Sequence, residues 1–270
     1  MANQPTFAEV LQQAVADISE NGFTSAERLG EWQRRLADAV QRLMGTPSQI
    51  EQLMRDSLNA VYRRLVERGG WAKYHPGIAR FTVERVLPQL RADLDRRIWS
   101  NASLIKLNRE QAMAETLRRF SGWASSVPPG GSAETDRSEV KASVKKPLYS
   151  LPFVERRCAI DQGHKLFAAI NETIAIGGNA IAAVWHHHHV TYPRKEHVAR
   201  EGKVFLIRDN WAQKAGLVKN GENGYTDEIE RPGEFVYCRC SYQWLYSLRA
   251  LPPDMLTAKG KAELERVKVA

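Results

Sequence analysis

Residues 181–190, IAAVWHHHHV, mark the point at which this chain changes from helical to strand-like patterning. Before this stretch, apolar residues recur every three or four positions, which is typical of amphipathic helices. Within and after it they fall in short runs rich in aromatic and β-branched residues, which is typical of strands. The runs KVFLI (203–207) and PGEFVYCRCSYQWLYSL (232–248) predict two further strands, the second long or bent, and YPRKEHVAREG (192–202) predicts a turn with a short helix.

The segment just before this change, roughly 153–176, predicts a long helix that ends at Gly177-Gly178. A helix and a sheet each bury an apolar face against another element, so we expect the two to pack together as a small domain over residues 153–250. Residues 251–270 predict a closing helix that Thr257 can cap. The expected fold class is therefore α+β, with the long helix packed on a short antiparallel sheet.

The first 124 residues predict a helical region. Apolar stripes at helical spacing begin at Phe7, Leu29, Ile50, Val83 and Met113. The third stripe has the clearest ends, because Thr46-Pro47 supplies a cap and a first-turn proline and Gly69-Gly70 follows it. Pro88 should kink the fourth helix without ending it.

Residues 125–152, SSVPPGGSAETDRSEVKASVKKPLYSLP, differ in composition from both neighbours. The stretch is poor in large apolar residues and rich in Pro, Gly, Ser and charge, a composition that favours a chain without its own core. We therefore expect a linker or extended arm, which becomes ordered by lying across neighbouring subunits.

The chain carries a formal net charge of +8. Exposed Lys and Arg favour acidic partners, since binding to phosphate releases its counterions. The basic excess is shared between the halves, with 22 basic and 17 acidic residues in 1–150 and 17 and 14 in 151–270. No stripe of basic residues with interleaved aromatics stands out in the sequence, so the pattern favours a solvated mixed-charge surface over a dedicated nucleic-acid site.

The cysteines and the distribution of apolar residues indicate the cellular compartment in which the protein folds. The three cysteines are an odd number, and Cys238 and Cys240 are too close in sequence for a relaxed disulfide with each other. No run of about 18 apolar residues occurs, and the start MANQPTFAEV lacks the basic and apolar regions of a secretory signal. We expect a protein made and kept in a reducing cytoplasm, without a membrane partner.

Four consecutive histidines, His186 to His189, are followed by His197 and then by Cys238 and Cys240. Side chains two apart on a strand share a face, so two adjacent strands would bring His189, Cys238 and Cys240 together, with His197 approaching from the turn. Imidazole and thiolate are donors that tetrahedral zinc prefers. The sequence therefore predicts a closed structural zinc site made by His189, His197, Cys238 and Cys240, with His187 as a substitute for His189. The alternatives are a buried pair of thiols and a histidine-rich strand face that bonds to neighbours, titrates or contacts another subunit.

Sequence patterns of enzymes are largely missing. The chain has no phosphate-binding Gly-x-x-x-x-Gly-Lys-Ser/Thr loop, no Gly-x-Ser-x-Gly elbow, no His-Glu-x-x-His and no zinc-deaminase pattern. A nucleophilic Cys240 beside His197 is one interpretation of these residues, and a packed structural position fits them equally well. We therefore predict no catalytic residues and no cofactor other than zinc, with a metal-dependent nuclease that uses His197 as the enzymatic alternative.

The order of features in the C-terminal part resembles the Mu F-like phage head morphogenesis (minor capsid protein) family. The resemblance covers about residues 153–245. The order begins with a helix that carries Arg156-Arg157, Gln162 and Lys165 and is followed by a Gly pair. The matching positions are Trp185, Arg194, His197, Gly202, Phe205, Pro232, Gly233, Cys238, Arg239 and Cys240. One position departs from the family, because His189 stands where the family tends to have Asp four residues after the tryptophan.

The resemblance implies a structural minor capsid protein of a tailed bacteriophage, with residues 153–250 as its head morphogenesis domain. Such a protein joins the portal and the major capsid protein during head assembly and sometimes contacts packaged double-stranded DNA. It would be present in the virion head in several copies, and in the host cytoplasm during assembly. The alternatives are a metal-dependent nuclease-like enzyme and a DNA-binding internal or ejected virion protein.

Overall fold

The computed structural model describes residues 4–188 and 193–269, with side chains up to residue 266. Long helices and one small antiparallel sheet confirm the α+β class. The elements in chain order are α1 (Phe7–Asn21), α2 (Ala26–Met44), α3 (Pro47–Tyr62), α4 (Arg80–Ala124), α5 (Arg137–Gly177), β1 (Ala182–His186), α6 (Lys195–Ala199), β2 (Val204–Leu206), α7 (Trp211–Lys214), β3 (Ser241–Leu245) and α8 (Ala258–Val269). No helix in these described ranges is both long enough and apolar enough to cross a membrane.

Two helix starts predicted from capping residues are confirmed. At the start of α3, the N–H of Gln49 donates to the hydroxyl of Thr46 at 3.3 Å. At the start of α8, the N–H of Gly260 donates to the hydroxyl of Thr257 at 3.0 Å. Each cap pairs an N–H group that the first turn of a helix leaves without a partner.

The fourth and fifth apolar stripes belong to one helix, α4, which contains Pro88 without ending there. Ile105 is fully buried and continues the apolar side between the two stripes. Ion pairs one turn apart, such as Lys106 with Glu110, lie on the polar side of the same stretch. Continuous helical patterning thus joins what the sequence suggested as two helices.

The extended arm predicted for residues 125–152 is wrong for residues 137–152, which form the first four turns of α5. Asp136 caps this helix by accepting from the N–H groups of Ser138 and Glu139 at 2.8 and 3.1 Å. Val144 and Leu148, four residues apart, are buried in an apolar core. Pro147 and Pro152 suggested a break, but each removes only one backbone hydrogen bond, and the buried face maintains the helix.

The chain forms two compact units. The first contains residues up to 54 together with 99–158, and the second contains 55–98 together with the residues after 158. The boundaries expected from composition, after residues 124, 152 and 250, do not coincide with these units. The reason is that α4 and α5 each contribute one part to the first unit and one part to the second.

Each unit has its own apolar core. The core of the first unit contains Leu11, Ile18, Leu36, Phe120 and Val144. The helical core of the second unit contains Leu65, Leu94, Leu166, Ile170 and Ile174. In both, the apolar side chains recur at helical spacing, so burial of these stripes explains why the segments are helices.

The sheet lies in the second unit and has the strand order β2-β1-β3, with both pairings antiparallel. Ala183 at the centre of β1 pairs with Phe205 on one side and with Trp244 on the other. The predicted long strand over 232–248 is wrong outside Ser241–Leu245. Gly233 and Tyr237 have φ values of 84° and 59°, and this left-handed backbone cannot continue a strand.

A buried hydrogen-bonded group also stabilises the second unit. His75 is fully buried, with its Nδ1 2.5 Å from the hydroxyl of Tyr246 and its Nε2 2.9 Å from Oδ1 of Asn171. Since Oδ1 can only accept, Nε2 carries the proton and Nδ1 accepts from the tyrosine. Burial lowers the pKa of His75 to about 4, against a smaller opposing effect of the Asn171 hydrogen bond.

The buried neutral His75 predicts a loss of stability in mild acid. Between pH 6.5 and about 4 the unfolded chain binds a proton at this residue that the folded chain does not bind. The free energy of unfolding should therefore fall on acidification by up to about 1.4 kcal/mol per pH unit more than in His75→Gln. Urea unfolding of both proteins across this range measures the difference, and parallel pH profiles would contradict the assignment.

Candidate metal centre

Three potential metal ligands of the second unit meet at one buried point. The Sγ atoms of Cys238 and Cys240 lie 3.6 and 3.5 Å from Nδ1 of His197. All three donor atoms lie within 4.8 Å of one another. The residues are between 3 and 9% exposed, so this group can hold a metal ion away from solvent.

The spacing of these atoms fits tetrahedral zinc. Zinc binds sulfur at about 2.3 Å and nitrogen at about 2.0–2.1 Å, which places neighbouring sulfur and nitrogen donors about 3.6 Å apart. Both measured sulfur–nitrogen distances agree with this separation. The second ring nitrogen of His197, Nε2, is buried and has no hydrogen-bond partner in the described part of the chain. A metal at Nδ1 would place the imidazole proton on Nε2, where the described residues offer no acceptor.

The predicted ligands have different outcomes. His197, Cys238 and Cys240 are brought together, whereas His189 lies outside the described residues. The proposed substitute, His187, is not part of the group found in the described ranges, and its main-chain N–H donates to the carboxylate of Glu201. The fourth ligand position thus stays a prediction.

The ligands come from two segments of the chain. His197 belongs to α6, whereas the two cysteines precede β3 in a loop, not on a strand as the sequence suggested. The left-handed backbone at Tyr237 turns the chain immediately before Cys238. A shared strand face is therefore not what makes the two thiols converge.

Asp161 of α5 holds the cysteine loop in place. Its Oδ1 accepts from the main-chain N–H of Tyr237 at 2.5 Å, and its Oδ2 lies 3.4 Å from Nζ of Lys165. The carboxylate is almost fully buried. No sequence pattern indicates this role, because Asp161 and Lys165, four residues apart, resemble an ordinary surface ion pair on a helix.

Aromatic side chains enclose the centre. The fully buried Trp185 of β1 packs edge-on against the His197 ring, with centroids 5.2 Å apart. Phe205 of β2 joins Trp185 and the two cysteines in one apolar cluster. These rings exclude water, which strengthens electrostatic interactions at the donors.

Arginine side chains tie the neighbouring segments together. Arg194, at the start of α6, donates to the carbonyl of Val236 at 3.1 Å and lies over the ring of Phe235. Arg200, just after α6, lies over the Trp185 ring and pairs with Glu230. The short helix that carries His197 is thereby fixed against the cysteine loop.

The two thiols differ in acidity. The pKa of Cys238 is lowered to about 5, first because the Cys240 thiol donates a hydrogen bond to its sulfur, although burial acts in the opposite direction. The pKa of Cys240 is raised, first by the same hydrogen bond and then by burial. Proximity thus favours a thiolate at Cys238, which is the form that binds metals.

Comparison of the chain with protein families, curated proteins and solved structures found no match. A cavity of about 30 Å³ beside Cys240, with Phe167, Tyr242 and Trp244 in its lining, has room for about two water molecules. This space is much smaller than the clefts that hold substrates.

Removing the Asp161 carboxylate should loosen the cysteine loop. Asp161→Ala leaves the N–H of Tyr237 without its acceptor, so we expect the free energy of unfolding to fall by about 1–3 kcal/mol and the bound metal to be lost more easily. Asp161→Asn is the matched control, because its amide oxygen can still accept from Tyr237. Denaturant unfolding and metal release to a chelator measure both effects, and wild-type behaviour of the alanine variant would refute the positioning role.

Proposed function

We propose that this protein is a structural minor head protein of a tailed bacteriophage, and that zinc stabilises its C-terminal part. The observation that carries the proposal is that the positions matching the head morphogenesis family surround one buried His-Cys-Cys group. Trp185 and Phe205 pack on the two cysteines or on His197. A sequence resemblance made of short, separated motifs is better supported when its members contact one another in the fold.

Other matching positions support the same centre. Arg194 bonds to the loop before Cys238, as described above. The N–H of Gly202 donates to the carbonyl of Trp185 at 2.9 Å. Gly233 has a positive φ, and a Cβ there would lie 3.4 Å from Cβ of Ala168 on α5. These positions therefore have structural reasons to be the residues they are.

Zinc fits the donor set better than harder cations do. Two thiols and an imidazole suit zinc, whereas calcium and magnesium prefer oxygen ligands. Bound zinc would supply charge neutralisation for the thiolate and a cross-link between α6 and the loop before β3. His189, which lies outside the described residues, would complete a closed tetrahedral set.

The enclosure of the site favours an assembly role over catalysis. Catalytic zinc keeps a position open to water and substrate, whereas structural zinc is closed by protein ligands. His197 is only 3% exposed, and the cavity that Cys240 itself lines has a volume of about 30 Å³. We infer that the centre stabilises a surface that joins the portal and the major capsid protein, with packaged double-stranded DNA as a further contact.

Metal analysis tests the zinc part of this proposal. We expect about one zinc per chain in wild-type protein, and loss of that zinc in His197→Ala, Cys238→Ser and Cys240→Ser. Cys158→Ser is the matched control, since this cysteine lies on α5 and is not part of the donor group. A zinc-free wild-type protein whose stability a chelator does not change would contradict the structural site.

Localisation and binding test the assembly part. We expect the protein in purified virion heads and in pull-downs with the portal protein at moderate salt, where weak non-specific charge contacts are screened. Absence from virions together with failure to bind portal or capsid would refute the proposal. A metal-dependent cleavage of DNA that His197→Ala abolishes, while head assembly survives, would support the nuclease alternative instead.

A further inference from the structure

We infer that one face of α5 in the first unit binds single-stranded nucleic acid, through aromatic rings that stack on bases and cations that contact phosphates. The relevant residues lie between Lys145 and Arg157, in the part that the sequence suggested as an extended arm. This inference goes beyond the proposed function, because it uses only residues of the first unit and does not require the metal centre.

The helix brings two exposed aromatic rings onto one line. Tyr149 and Phe153 are 73% and 57% exposed, although large apolar side chains are normally buried. They are four residues apart, so they lie on the same side of the helix and about 6 Å apart along its axis. The guanidinium of Arg157, four residues further on, lies 5.5 Å from the centre of the Phe153 ring.

Cations share this face with the aromatic rings. At 100° per residue, Lys145, Lys146, Tyr149, Phe153, Arg156 and Arg157 fall within an arc of about 120°. The opposite side carries Val144 and Leu148, which are buried in the core. We call the arc of four cations and two rings the α5 stripe, and it extends for about 18 Å along the helix.

All the charged side chains of the α5 stripe are positive. Within 145–157 the single acidic residue is Glu155, which is turned inward and pairs with Arg109 at 2.5 Å. Lys145, Lys146 and Arg156 form no ion pair with any residue in the described ranges. The charges of Lys145, Lys146 and Arg156 thus complement a phosphate backbone.

The exposed rings favour a single strand over a duplex. In a duplex the bases are stacked on one another, whereas a single strand offers base faces to aromatic side chains. Alternation of rings and cations on one face is the combination that such binding uses, with cations along the backbone and rings under the bases. A membrane-binding helix would instead need a broad apolar face with cations on the opposite side.

Fluorescence anisotropy with a labelled oligothymidylate of about 20 nucleotides tests the α5 stripe in the full-length protein. Tyr149→Ala and Phe153→Ala should each weaken binding by roughly tenfold. Lys145→Gln combined with Arg156→Gln should reduce the slope of log affinity against log salt by about 1.4. Trp99→Ala, at another ring of the first unit that is 74% exposed, and Lys106→Gln are matched controls that should bind as wild type does.

The outcomes separate this inference from its alternatives. Equal or tighter binding of a matched duplex, or unchanged affinity in both ring variants, would overturn it. Binding to vesicles of anionic lipid without binding to the oligonucleotide would also overturn it and would identify a membrane-facing helix. The zinc content of every stripe variant should equal that of wild type, so failure here and failure of the proposed metal centre give different results.

Discussion

Two thiols and an imidazole lie within contact of one another at a point that solvent hardly reaches. Thiols form only weak hydrogen bonds, so these groups give up hydration without an equivalent replacement from protein atoms alone. Trp185, Phe205 and the cysteine loop are all arranged around them. The packing of the second unit near its sheet therefore depends on how these three donors are satisfied.

The sequence predicted the type of elements better than their length. Strand-like runs at β1 and β2, the short helix with His197, and the caps at Thr46 and Thr257 could be read from local patterns. The helix over 137–152 could not, because Pro147 and Pro152 are strong local signals and the burial of Val144 and Leu148 depends on distant residues. The start of β3 at Ser241 was missed for a related reason, because no sequence pattern indicates the left-handed backbone at Tyr237.

The metal-ligating residues of the site could be predicted from the sequence, but the residues that position them could not. Residue types and an expected strand spacing suggested that His197, Cys238 and Cys240 would meet, and the donor atoms do so. The expected route through a shared strand face was wrong, because a loop brings the thiols together. Asp161, which orients that loop from α5, is 76 residues away from Tyr237 in sequence, and no local pattern links the two.

Pro147 has one more consequence for α5. Its ring removes the N–H that would normally bond to the carbonyl of Ser143, four residues earlier. A guanidinium nitrogen of Arg119 on α4 lies 3.4 Å from that same carbonyl oxygen and donates to it. Arg119 of the neighbouring helix thus supplies the hydrogen-bond donor that Pro147 lacks.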